Sequence, residues 1–470
     1  MRRVCAALLA LCLGLFGALA TAGPAQAAPQ KITNGTQFTD TSGNPVHAHG
    51  GGVLKVGSYY YWFGEHRNAD NTFRYVDAYR SSDLKNWEFR NHVLTEASDP
   101  ELGAANIERP KVMYNASAGT FVMWMHKENG TDYSEARAAV AVSDTVDGDY
   151  TWKGSFRPLG QHMSRDITVF ADTDGAGYMI SAARENYDLQ IYRLTADYTG
   201  IASLVANPWP GGHREAPALF KRGSVYFMLT SGATGWNPNQ QQYATATSIA
   251  GPWSAMKNVG DSTAYGSQTA FVLPVQGTSG TSYLYLGDRW GNSFGGTVND
   301  SRYVWLPLTF SNATTMSMSW SPEVTVDTAA GAVTGTTATY NTLIARHSSK
   351  CADVTSQSLW AGAQIKQYDC NGGGNQKYWF KSVGSGYYQL MVRNSSLCVQ
   401  ENASTVTQEN CASSATNQQW SLTTTGSYVT VTSRASGECL DVNGASTANG
   451  AALITYTCNG GANQQWTRGT

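Results

Sequence analysis

The carboxyl-terminal part of the chain contains a sequence unit that occurs three times, and this repeat constrains the fold more than any other feature. Each unit opens with a cysteine near an Asp or Gln and closes with an Asn-Gln pair, followed two positions later by an aromatic residue. The closing aromatics, Tyr378, Trp420 and Trp466, recur at intervals of 42 and 46 residues. Because such short units cannot bury an apolar face alone, they predict one domain with a shared core, in which we expect the two tryptophans to be structural.

The cysteines follow the same repeat. Of the eight cysteines, Cys5 and Cys12 lie in the first 27 residues, none lies between 28 and 350, and six follow. In each unit a second cysteine comes 19, 13 or 19 residues after the first. Six cysteines so concentrated in an exported chain indicate a disulfide framework. Spacing alone permits fifteen connectivities. Repeat symmetry favours pairing within units, as Cys351–Cys370, Cys398–Cys411 and Cys439–Cys458.

The first 27 residues have the pattern of a secretory signal peptide. Arg2 and Arg3 precede an apolar run over residues 6–20, and Ala25-Gln26-Ala27 is a small-x-small cleavage motif. The alternative, a membrane anchor, is disfavoured because the apolar run is too short to span a bilayer comfortably. The sequence therefore predicts a secreted, extracellular protein with no membrane partner.

Composition excludes several classes of protein. Only 14% of residues are charged, with 32 Lys and Arg against 34 Asp and Glu. This balance disfavours nucleic-acid binding, which requires a basic face. The 48 glycines, 25 tyrosines and 14 tryptophans favour an all-β protein. The stretch 327–339 is small, polar and aperiodic, so we predict a domain over 28–331, a linker over 332–339 and a second domain over 340–470.

The larger domain repeats more weakly. Five segments share a polar first residue, a hydrophobic stretch, a Gly-containing turn and an aromatic-rich strand. They begin, at intervals of 59, 58, 49 and 53 residues, at His49, Glu108, Asp166, Glu215 and Gln268. Each segment predicts a β-hairpin, and five hairpin repeats predict a five-bladed β-propeller. The innermost strands of a propeller converge on its axis, so we expect the five first residues to surround one funnel.

Acidic residues at these positions indicate glycosidic bond cleavage. Glu108, Asp166, Glu215 and the nearby Glu65 would place several carboxyl groups together, which raises the pKa of one that must donate a proton. The alternative is that these acids cap loops or bind calcium. Four histidines lack the close spacing of zinc ligands: His47, His49, His162 and His213. We therefore predict no metal site and no cofactor; structural calcium is not indicated.

The carboxyl-terminal repeat resembles the ricin-type β-trefoil, which is carbohydrate-binding module family 13. The resemblance covers 340–470 and implies one sugar site per unit. Two units keep the expected acceptor, aromatic and amide residues. These are Asp353, Tyr368, Asn375 and Gln376 in the first unit, and Asp441, Tyr456, Asn463 and Gln464 in the third. The second unit has Gln400 in place of the Asp and Glu409 in place of the aromatic, so we expect no site there.

The larger domain resembles glycoside hydrolase family 43 through Arg214-Glu215-Ala216-Pro217 and Ser164-Arg165-Asp166. Motifs in the first, second and fourth repeats are similar to those of its exo-β-1,3-galactanase branch; they cover residues 59–65, 107–111 and 234–236. The resemblance spans 34 to about 326. It implies that Glu215 is the general acid and that Asp166 tunes its pKa and orients it. It also implies a set of residues that contact the terminal galactose: Glu65, Glu108, Tyr133, Thr234 and Trp236.

One departure from the family concerns the catalytic base. Most of family 43 has an Asp at the start of the first repeat, whereas residues 45–52 here contain no carboxylate. The galactanase branch shares this loss, and there the Gln of the fifth repeat, here Gln268, has been proposed as the base. An amide is too weakly basic for this role unless it forms an imidic-acid tautomer. The competing hypothesis makes Glu108 the base and lets Gln268 position water; we favour Gln268 within the water-activating apparatus.

Three functions follow, in order of preference. The first is an inverting exo-β-1,3-galactanase that hydrolyses β-1,3-galactan, the main chain of arabinogalactan, from the non-reducing end. The second is a family-43 arabinofuranosidase or xylosidase, and the third is an inactive two-domain lectin. We expect a monomer whose partner is this polysaccharide substrate, with no nucleic-acid or membrane partner.

Overall fold

The computed structural model describes residues 28–403 and 405–469, and the predicted signal peptide, residues 1–27, lies outside them. The described residues are almost entirely β-strands and loops, and none of their helices is both long and apolar enough to cross a membrane. The helical turns are short 3₁₀ segments. They are Pro100–Leu102, Pro158–Gly160, Gly291–Phe294, Val298–Asp300, Thr355–Gln357, Gly374–Gln376, Thr416–Gln418, Asn443–Ala445 and Ala462–Gln464.

Strand β1 (Gln30–Thr33) precedes five four-stranded antiparallel sheets, whose strands are hydrogen-bonded in chain order. The first sheet is β2 (His49–Val56), β3 (Tyr59–Arg67), β4 (Phe73–Ser81) and β5 (Glu88–Thr95); the second is β6 (Asn106–Asn115), β7 (Thr120–Glu128), β8 (Arg137–Ser143) and β9 (Thr151–Phe156). The third is β10 (Ile167–Ala171), β11 (Gly177–Ala183), β12 (Asp188–Leu194) and β13 (Ile201–Ala206). The fourth is β14 (Arg214–Arg222), β15 (Val225–Gly232), β16 (Gln242–Ala246) and β17 (Lys257–Asn258); the fifth is β18 (Gln268–Gly277), β19 (Gly280–Arg289), β20 (Arg302–Phe310) and β21 (Met316–Met318).

The sheets form a closed ring, the arrangement of a β-propeller. The first strand of each sheet contacts the first strand of the next, and β18 contacts β2. Gly52 of β2 permits this close approach. A Cβ there would lie 2.7 Å from Cδ of Lys111 on β6 and 3.4 Å from Cδ2 of Phe271 on β18.

A separate three-stranded sheet follows the fifth sheet. It consists of β22 (Glu323–Asp327) and β23 (Ala332–Gly335) with the amino-terminal strand, in the order β1-β22-β23. Its side chains Ile32, Val324 and Val326 pack with Trp62 of the first sheet and Trp305 of the fifth. The expectation of a linker over 332–339 is therefore wrong for residues 332–335, because the small residues there pair with β22.

Twelve strands form the carboxyl-terminal domain, four from each repeat, in a β-trefoil. They are β24 (Tyr340–Ala345), β25 (Cys351–Val354), β26 (Ile365–Tyr368), β27 (Tyr378–Gly384), β28 (Tyr387–Val392), β29 (Cys398–Asn402), β30 (Thr405–Glu409), β31 (Trp420–Thr425), β32 (Tyr428–Ser433), β33 (Cys439–Val442), β34 (Leu453–Tyr456) and β35 (Trp466–Gly469). The closing aromatics Tyr378, Trp420 and Trp466 are buried in one core, as the repeat predicted. The three predicted disulfides are confirmed: Cys351–Cys370, Cys398–Cys411 and Cys439–Cys458.

Candidate active site

A cavity of about 390 Å³ lies where the first strands of the five sheets begin. Seven of the eight residues predicted for the propeller site line it: Glu65, Glu108, Tyr133, Asp166, Glu215, Trp236 and Gln268. Thr234 does not line the cavity, although its neighbours Ala233 and Gly235 do. The Thr234 hydroxyl instead donates to the Asn237 carbonyl oxygen at 2.6 Å, within its own loop.

A β-bulge lies beside the polar residue that begins four of the five repeats. In β2, β6, β14 and β18 the pairing with the next strand shifts within three residues of the strand's polar first residue. Gly50, Arg109 and Ala216, each next to such a residue, have φ of 61°, 54° and 51°. A bulge bends the strand and redirects a side chain. The same bulge therefore changes the direction of the side chains at this end of four of the five sheets.

Glu215 is a buried carboxyl group held by two amides. Its Oε1 accepts a hydrogen bond from Gln268 Nε2 at 3.0 Å, and its Oε2 accepts one from Asn186 Nδ2 at 3.0 Å. Burial, together with the negative charge of Asp166, raises the pKa of Glu215 to about 8. The group is therefore protonated at neutral pH and can donate a proton.

Asp166 precedes β10 and connects two neighbouring strands. Its Oδ1 lies 2.9 Å from Arg109 Nε, and its Oδ2 accepts a hydrogen bond from the Ala216 backbone N–H at 3.0 Å. Ala216 immediately follows Glu215, so this contact fixes the backbone that carries the acid. Asp166 thus acts on Glu215 through both charge and position.

Gln268 makes four hydrogen bonds through its amide group. Oε1 accepts from Arg109 Nη2 at 2.6 Å and from Trp290 Nε1 at 2.7 Å. Nε2 donates to Glu215 Oε1 at 3.0 Å and to Ser231 Oγ at 2.9 Å. Arg109 and Trp290 can only donate, so the orientation of the amide is determined.

Glu108 is an ionised carboxylate surrounded by donors. Oε1 accepts from Arg67 Nη2 at 2.8 Å and from the Tyr133 hydroxyl at 2.9 Å, while Oε2 lies 3.1 Å from His126 Nδ1. Although burial favours its neutral form, the hydrogen bond from His126 and the charge of Arg67 hold the pKa of Glu108 well below its usual range. It can accept hydrogen bonds from sugar hydroxyls or a proton from water.

His126 lies between two carboxylates. Its Nε2 is 2.7 Å from Glu128 Oε1, on the side of the ring opposite Glu108. Although burial opposes its charge, hydrogen bonds to Glu108 and Glu128 raise the pKa of His126 to about 9. The imidazolium therefore keeps Glu108 ionised at neutral pH.

The remaining walls combine an ion pair and aromatic rings. Glu65 Oε2 accepts from Arg67 Nη2 at 2.8 Å, and Oε1 accepts from the Arg109 backbone N–H at 2.9 Å. The Trp236 and Trp290 rings meet edge to face, with centroids 5.2 Å apart. Ring faces beside convergent polar groups suit a ligand with both hydroxyls and apolar faces, such as a sugar.

Nine lining residues were not predicted as site residues from sequence: Arg67, Arg109, His126, Arg165, Glu185, Asn186, Ala233, Gly235 and Trp290. The hairpin register provides a signal for some of them. His49 pairs with Glu65, Glu108 with His126, and Gln268 with Asp288. Because the second strand of each hairpin returns to the cavity end, its last residues were candidates as well.

At the start of the first sheet, where the family's Asp is absent, His49 is buried behind the cavity wall. Its Nδ1 lies 3.1 Å from Asp288 Oδ1, and Asp288 Oδ2 accepts from the Gly50 backbone N–H at 2.9 Å. His49 therefore closes the ring between the first and fifth sheets and does not face the ligand.

One group of cavity residues has the geometry to attract a cation. Glu108, His126 and Asp166 offer atoms within 4.8 Å of one another. Arg67 and Arg109 already bring positive charge to these carboxylates, and both His126 nitrogens contact carboxylates. The cluster is thus a complete ion-pair network made from the chain's own side chains.

The trefoil contains two matching polar sites. Asp353 Oδ2 accepts from Asn375 Nδ2 and Gln376 Nε2, both at 2.8 Å. In the third unit Asp441 Oδ2 accepts from Asn463 Nδ2 at 2.8 Å and Gln464 Nε2 at 2.9 Å. The predicted aromatic residues of the two sites are exposed, Tyr368 by 47% and Tyr456 by 54%.

The second unit differs in that Gln400 stands in place of the Asp and makes hydrogen bonds through both its oxygen and its nitrogen. Gln400 Oε1 accepts from Gln418 Nε2 at 2.9 Å, and Gln400 Nε2 donates to Asn402 Oδ1 at 2.6 Å. Glu409 Oε1 accepts from the Thr407 hydroxyl at 2.8 Å. Among the described residues, Asp353 and Asp441 make such contacts through Oδ2 alone, whereas Gln400 is engaged through both atoms of its amide.

Comparison with known proteins adds two family matches. The sequence model described as glycosyl hydrolases family 43 matches residues 43–290, and that described as ricin-type β-trefoil lectin domain matches residues 339–466. The cavity lies within the first match and the two polar trefoil sites within the second.

The chain is similar to several solved structures. The exo-β-1,3-galactanase 1,3Gal43A from Clostridium thermocellum is 47% identical, with a TM-score of 0.66, over 93% of this chain and 99% of that one. The exo-β-1,3-galactanase from Phanerochaete chrysosporium with β-1,3-galactotriose is 30% identical, with a TM-score of 0.65, over 83% of this chain and 92% of that one. A curated relative, the β-agarase AgaB34 from Agarivorans albus, matches at 36% identity over 59 residues, which is 12% of this chain and 13% of that protein.

Proposed function

The chain belongs to glycoside hydrolase family 43, and from that premise we propose that it is an inverting exo-β-1,3-galactanase that also binds galactan through its trefoil domain. The observation that carries the proposal is Glu215, a carboxyl group in the cavity whose pKa is raised to about 8. A protonated acid of this kind donates to the leaving oxygen of a glycosidic bond.

In the proposed first step, Glu215 transfers its proton to the glycosidic oxygen as the bond to the anomeric carbon breaks. Asp166 positions the acid through the Ala216 backbone N–H at 3.0 Å and supplies the like charge that keeps it protonated. Asn186 and Gln268 hold the two carboxyl oxygens in place.

Water would attack the anomeric carbon from the opposite face, and its proton needs an acceptor. An imidic acid at Gln268 would place an O–H proton against the N–H groups of Arg109 and Trp290, which disfavours that tautomer. We propose that Gln268 holds Glu215 in place, since the four hydrogen-bonding positions of its amide are already occupied, and that Glu108 accepts the proton. Glu108 is a weak base, but attacking water becomes strongly acidic as its new bond forms, so a positioned weak base suffices.

The terminal galactose would be held by the remaining walls of the cavity. Glu65 and Glu108 provide acceptors for hydroxyl groups, while Tyr133 and Trp236 provide ring surfaces. The hydroxyl of Thr234 is used within its own loop, so we propose no contact between it and the sugar. Its backbone N–H contributes by favouring the ionised form of Glu215.

The substrate class is supported by the relatives. Two enzymes that match this chain at 47% and 30% identity are named exo-β-1,3-galactanases, and one structure contains β-1,3-galactotriose. The absence of a carboxylate over residues 45–52 sets the chain apart from the arabinofuranosidase and xylosidase alternative.

We extend the proposal to the whole chain. The five sheets would be the five blades of one propeller over residues 28–331, and residues 340–470 would bind polymer at the first and third trefoil units. Three disulfides and a glycoside hydrolase family suit an extracellular enzyme, and we propose secretion through residues 1–27 and a monomeric state.

The test compares wild type with Glu215→Gln on β-1,3-galactan, arabinan and xylan. We expect wild type to release galactose from galactan, with α-galactose as the first-formed anomer by proton NMR. Glu215→Gln should retain galactan binding and lose turnover by about 10²- to 10⁴-fold, the usual contribution of general acid catalysis. Pentose release would support the second hypothesis, and binding without hydrolysis by wild type would support a lectin. An early β-anomer would refute inversion.

A further inference from the structure

Two histidines and an aspartate meet on three adjacent strands of the first sheet. His66 lies on β3, Asp77 on β4 and His92 on β5, with Asp77 directly opposite His92. Since side chains alternate along a strand, His66 faces away from Glu65 and Arg67, which line the cavity. We propose that His66, Asp77 and His92 form a binding site for a divalent transition-metal ion, with Zn²⁺ as the best match.

The donor atoms are already close to the geometry that zinc requires. His66 Nδ1 lies 2.9 Å from Asp77 Oδ2, and His92 Nδ1 lies 2.5 Å from Asp77 Oδ1. One ligand atom from each residue falls within 4.8 Å of the others. Zinc bonds nitrogen and carboxylate oxygen at about 2.0–2.2 Å, so tetrahedral donors stand roughly 3.3 Å apart. To bind zinc, the two histidine nitrogens, which lie within 4.8 Å of each other, would need a separation of roughly 3.3 Å.

Charge also favours a cation here. The Asp77 side chain is only 2% exposed, and among the described residues its ion-pair partners are these two imidazoles, with no Lys or Arg. A buried carboxylate without a strong cationic partner is costly, and a metal ion would neutralise it.

The surrounding side chains hold the three ligands in fixed orientations. The Tyr79 hydroxyl donates to Asp77 Oδ2 at 3.3 Å. The His47 ring stacks on His66 with centroids 4.1 Å apart, and the Tyr75 ring stacks on His92 at 3.8 Å. The Tyr79 hydrogen bond is of the kind that orients a carboxylate bound to a metal ion. The His92 side chain is 40% exposed, which leaves a fourth position open to water.

Binding would exchange two hydrogen bonds for metal–ligand bonds. Each imidazole would bind the ion through Nδ1 and carry its proton on Nε2, and one Asp77 oxygen would complete the protein ligands. No oxidation or reduction is involved. Because the three ligands lie on separate strands, the ion would join β3, β4 and β5 behind the strand that carries Glu65 and Arg67.

The experiment uses the full secreted chain without an affinity tag, stripped with EDTA and titrated with Co²⁺. Wild type should bind one ion per chain, with visible d–d absorption that Zn²⁺ displaces, and Zn²⁺ should raise its Tm. Loss of a residue that hydrogen-bonds to a metal ligand typically costs ~10- to 100-fold in metal affinity. His92→Asn, which removes a ligand, should cost at least ~100-fold. His162→Asn is the matched control and should bind as wild type does, because His162 contacts Tyr192 in the third sheet.

A second variant keeps the test decisive if His92→Asn folds poorly. His66→Gln should also lose the absorption and the Zn²⁺-dependent rise in Tm, while galactotriose hydrolysis reports that each variant is folded. The proposal is overturned if wild type shows no d–d absorption, or if His66→Gln and His92→Asn bind Co²⁺ as tightly as the control.

Discussion

Glu215 owes its protonation at neutral pH to the residues around it. Burial raises its pKa most, the negative charge of Asp166 raises it further, and the positive charge of Arg109 opposes both. Asp166 and Arg109 are themselves paired at 2.9 Å. The acid strength of the site therefore depends on a balance among three side chains from three different sheets.

This balance predicts how the pH dependence of kcat/KM responds to Asp166→Asn. In wild type, activity on β-1,3-galactotriose should fall as pH rises through about 8, where Glu215 loses its proton. Asp166→Asn removes a like charge and leaves Arg109 unpaired, and both changes favour the ionised acid. The falling limb should move to lower pH, and kcat should decrease.

Asp172→Asn is the matched control, because Asp172 follows the same strand β10 at its far end and contacts Lys221. Its pH profile should match that of wild type. A falling limb that stays near pH 8 in Asp166→Asn would show that Asp166 does not influence the acid.

A second prediction identifies the acceptor of the water proton. Azide needs no base, so it restores turnover in a variant that has lost the acceptor. We expect azide to accelerate Glu108→Gln and to yield α-galactosyl azide, because inversion converts a β-linkage into an α-product. Gln268→Ala should lose activity through misplacement of Glu215 and should not respond. Azide rescue of Gln268→Ala alone would assign the base to Gln268.

At the scale of elements, the copies of the hairpin share one backbone arrangement but differ in their functional side chains, and the same holds for the three trefoil units. The strand-start bulge recurs in β2, β6, β14 and β18, yet the residue it redirects is a buried His49, a carboxylate or an amide. Likewise the first and third trefoil units present an Asp held by two amides, whereas in the second Gln400 is engaged through both atoms of its amide. A backbone feature that recurs among the repeats of this chain thus permits different side chains at equivalent positions.

The trefoil units predict unequal contributions to polymer binding. Asp353→Ala and Asp441→Ala should each weaken binding to insoluble galactan by about 10- to 100-fold, the loss of a charged hydrogen-bond acceptor. Changing both should also remove avidity, since two sites on one chain reinforce each other. Gln400→Ala is the control and should change little. Binding isotherms measure these effects, with galactotriose turnover expected to stay constant. Equal losses for Gln400→Ala and Asp353→Ala would contradict the assignment of units.

At the scale of the whole molecule, the two domains are joined by specific contacts. Arg289 Nη1 donates to the Asn394 carbonyl oxygen at 2.8 Å, and Lys381 Nζ donates to Glu323 Oε1 at 2.5 Å. Arg302, also in the fifth sheet, donates to the Ser395 carbonyl oxygen at 3.3 Å. The trefoil is thereby held against the fifth sheet and the β1-β22-β23 sheet.

The uneven distribution of cysteines predicts that reduction affects the two domains differently. All three disulfides lie in the trefoil and close loops of 19, 13 and 19 residues, each worth about 3 kcal/mol. Reduction and alkylation should lower the trefoil's Tm and abolish galactan binding, while galactotriose hydrolysis persists, since residues 28–350 contain no cysteine. Alkylation without reduction is the control. Parallel loss of hydrolysis would show that the propeller depends on the trefoil for its fold.

Local pattern in the sequence was sufficient for the repeats, the polar residues that begin them and the disulfide pairing. These features depend on spacing within a hairpin or within one trefoil unit, which strand and turn geometry control. The one local error, the linker, arose because small residues such as Ala332 and Gly335 are not typical of strands, although β22 pairs with them.

The catalytic environment depends on contacts that no local pattern encodes. Arg109 and Gln268 are 159 residues apart, and their 2.6 Å contact exists only because the ring of sheets closes. The pKa of Glu215 likewise reflects burial and charges from other sheets. The sequence by itself therefore determined the polar residues that begin the repeats, most of which reach the cavity. The tertiary structure decided which further residues join them, and it decided their protonation and partners, because electrostatic interactions depend on distance in space and not on separation along the chain.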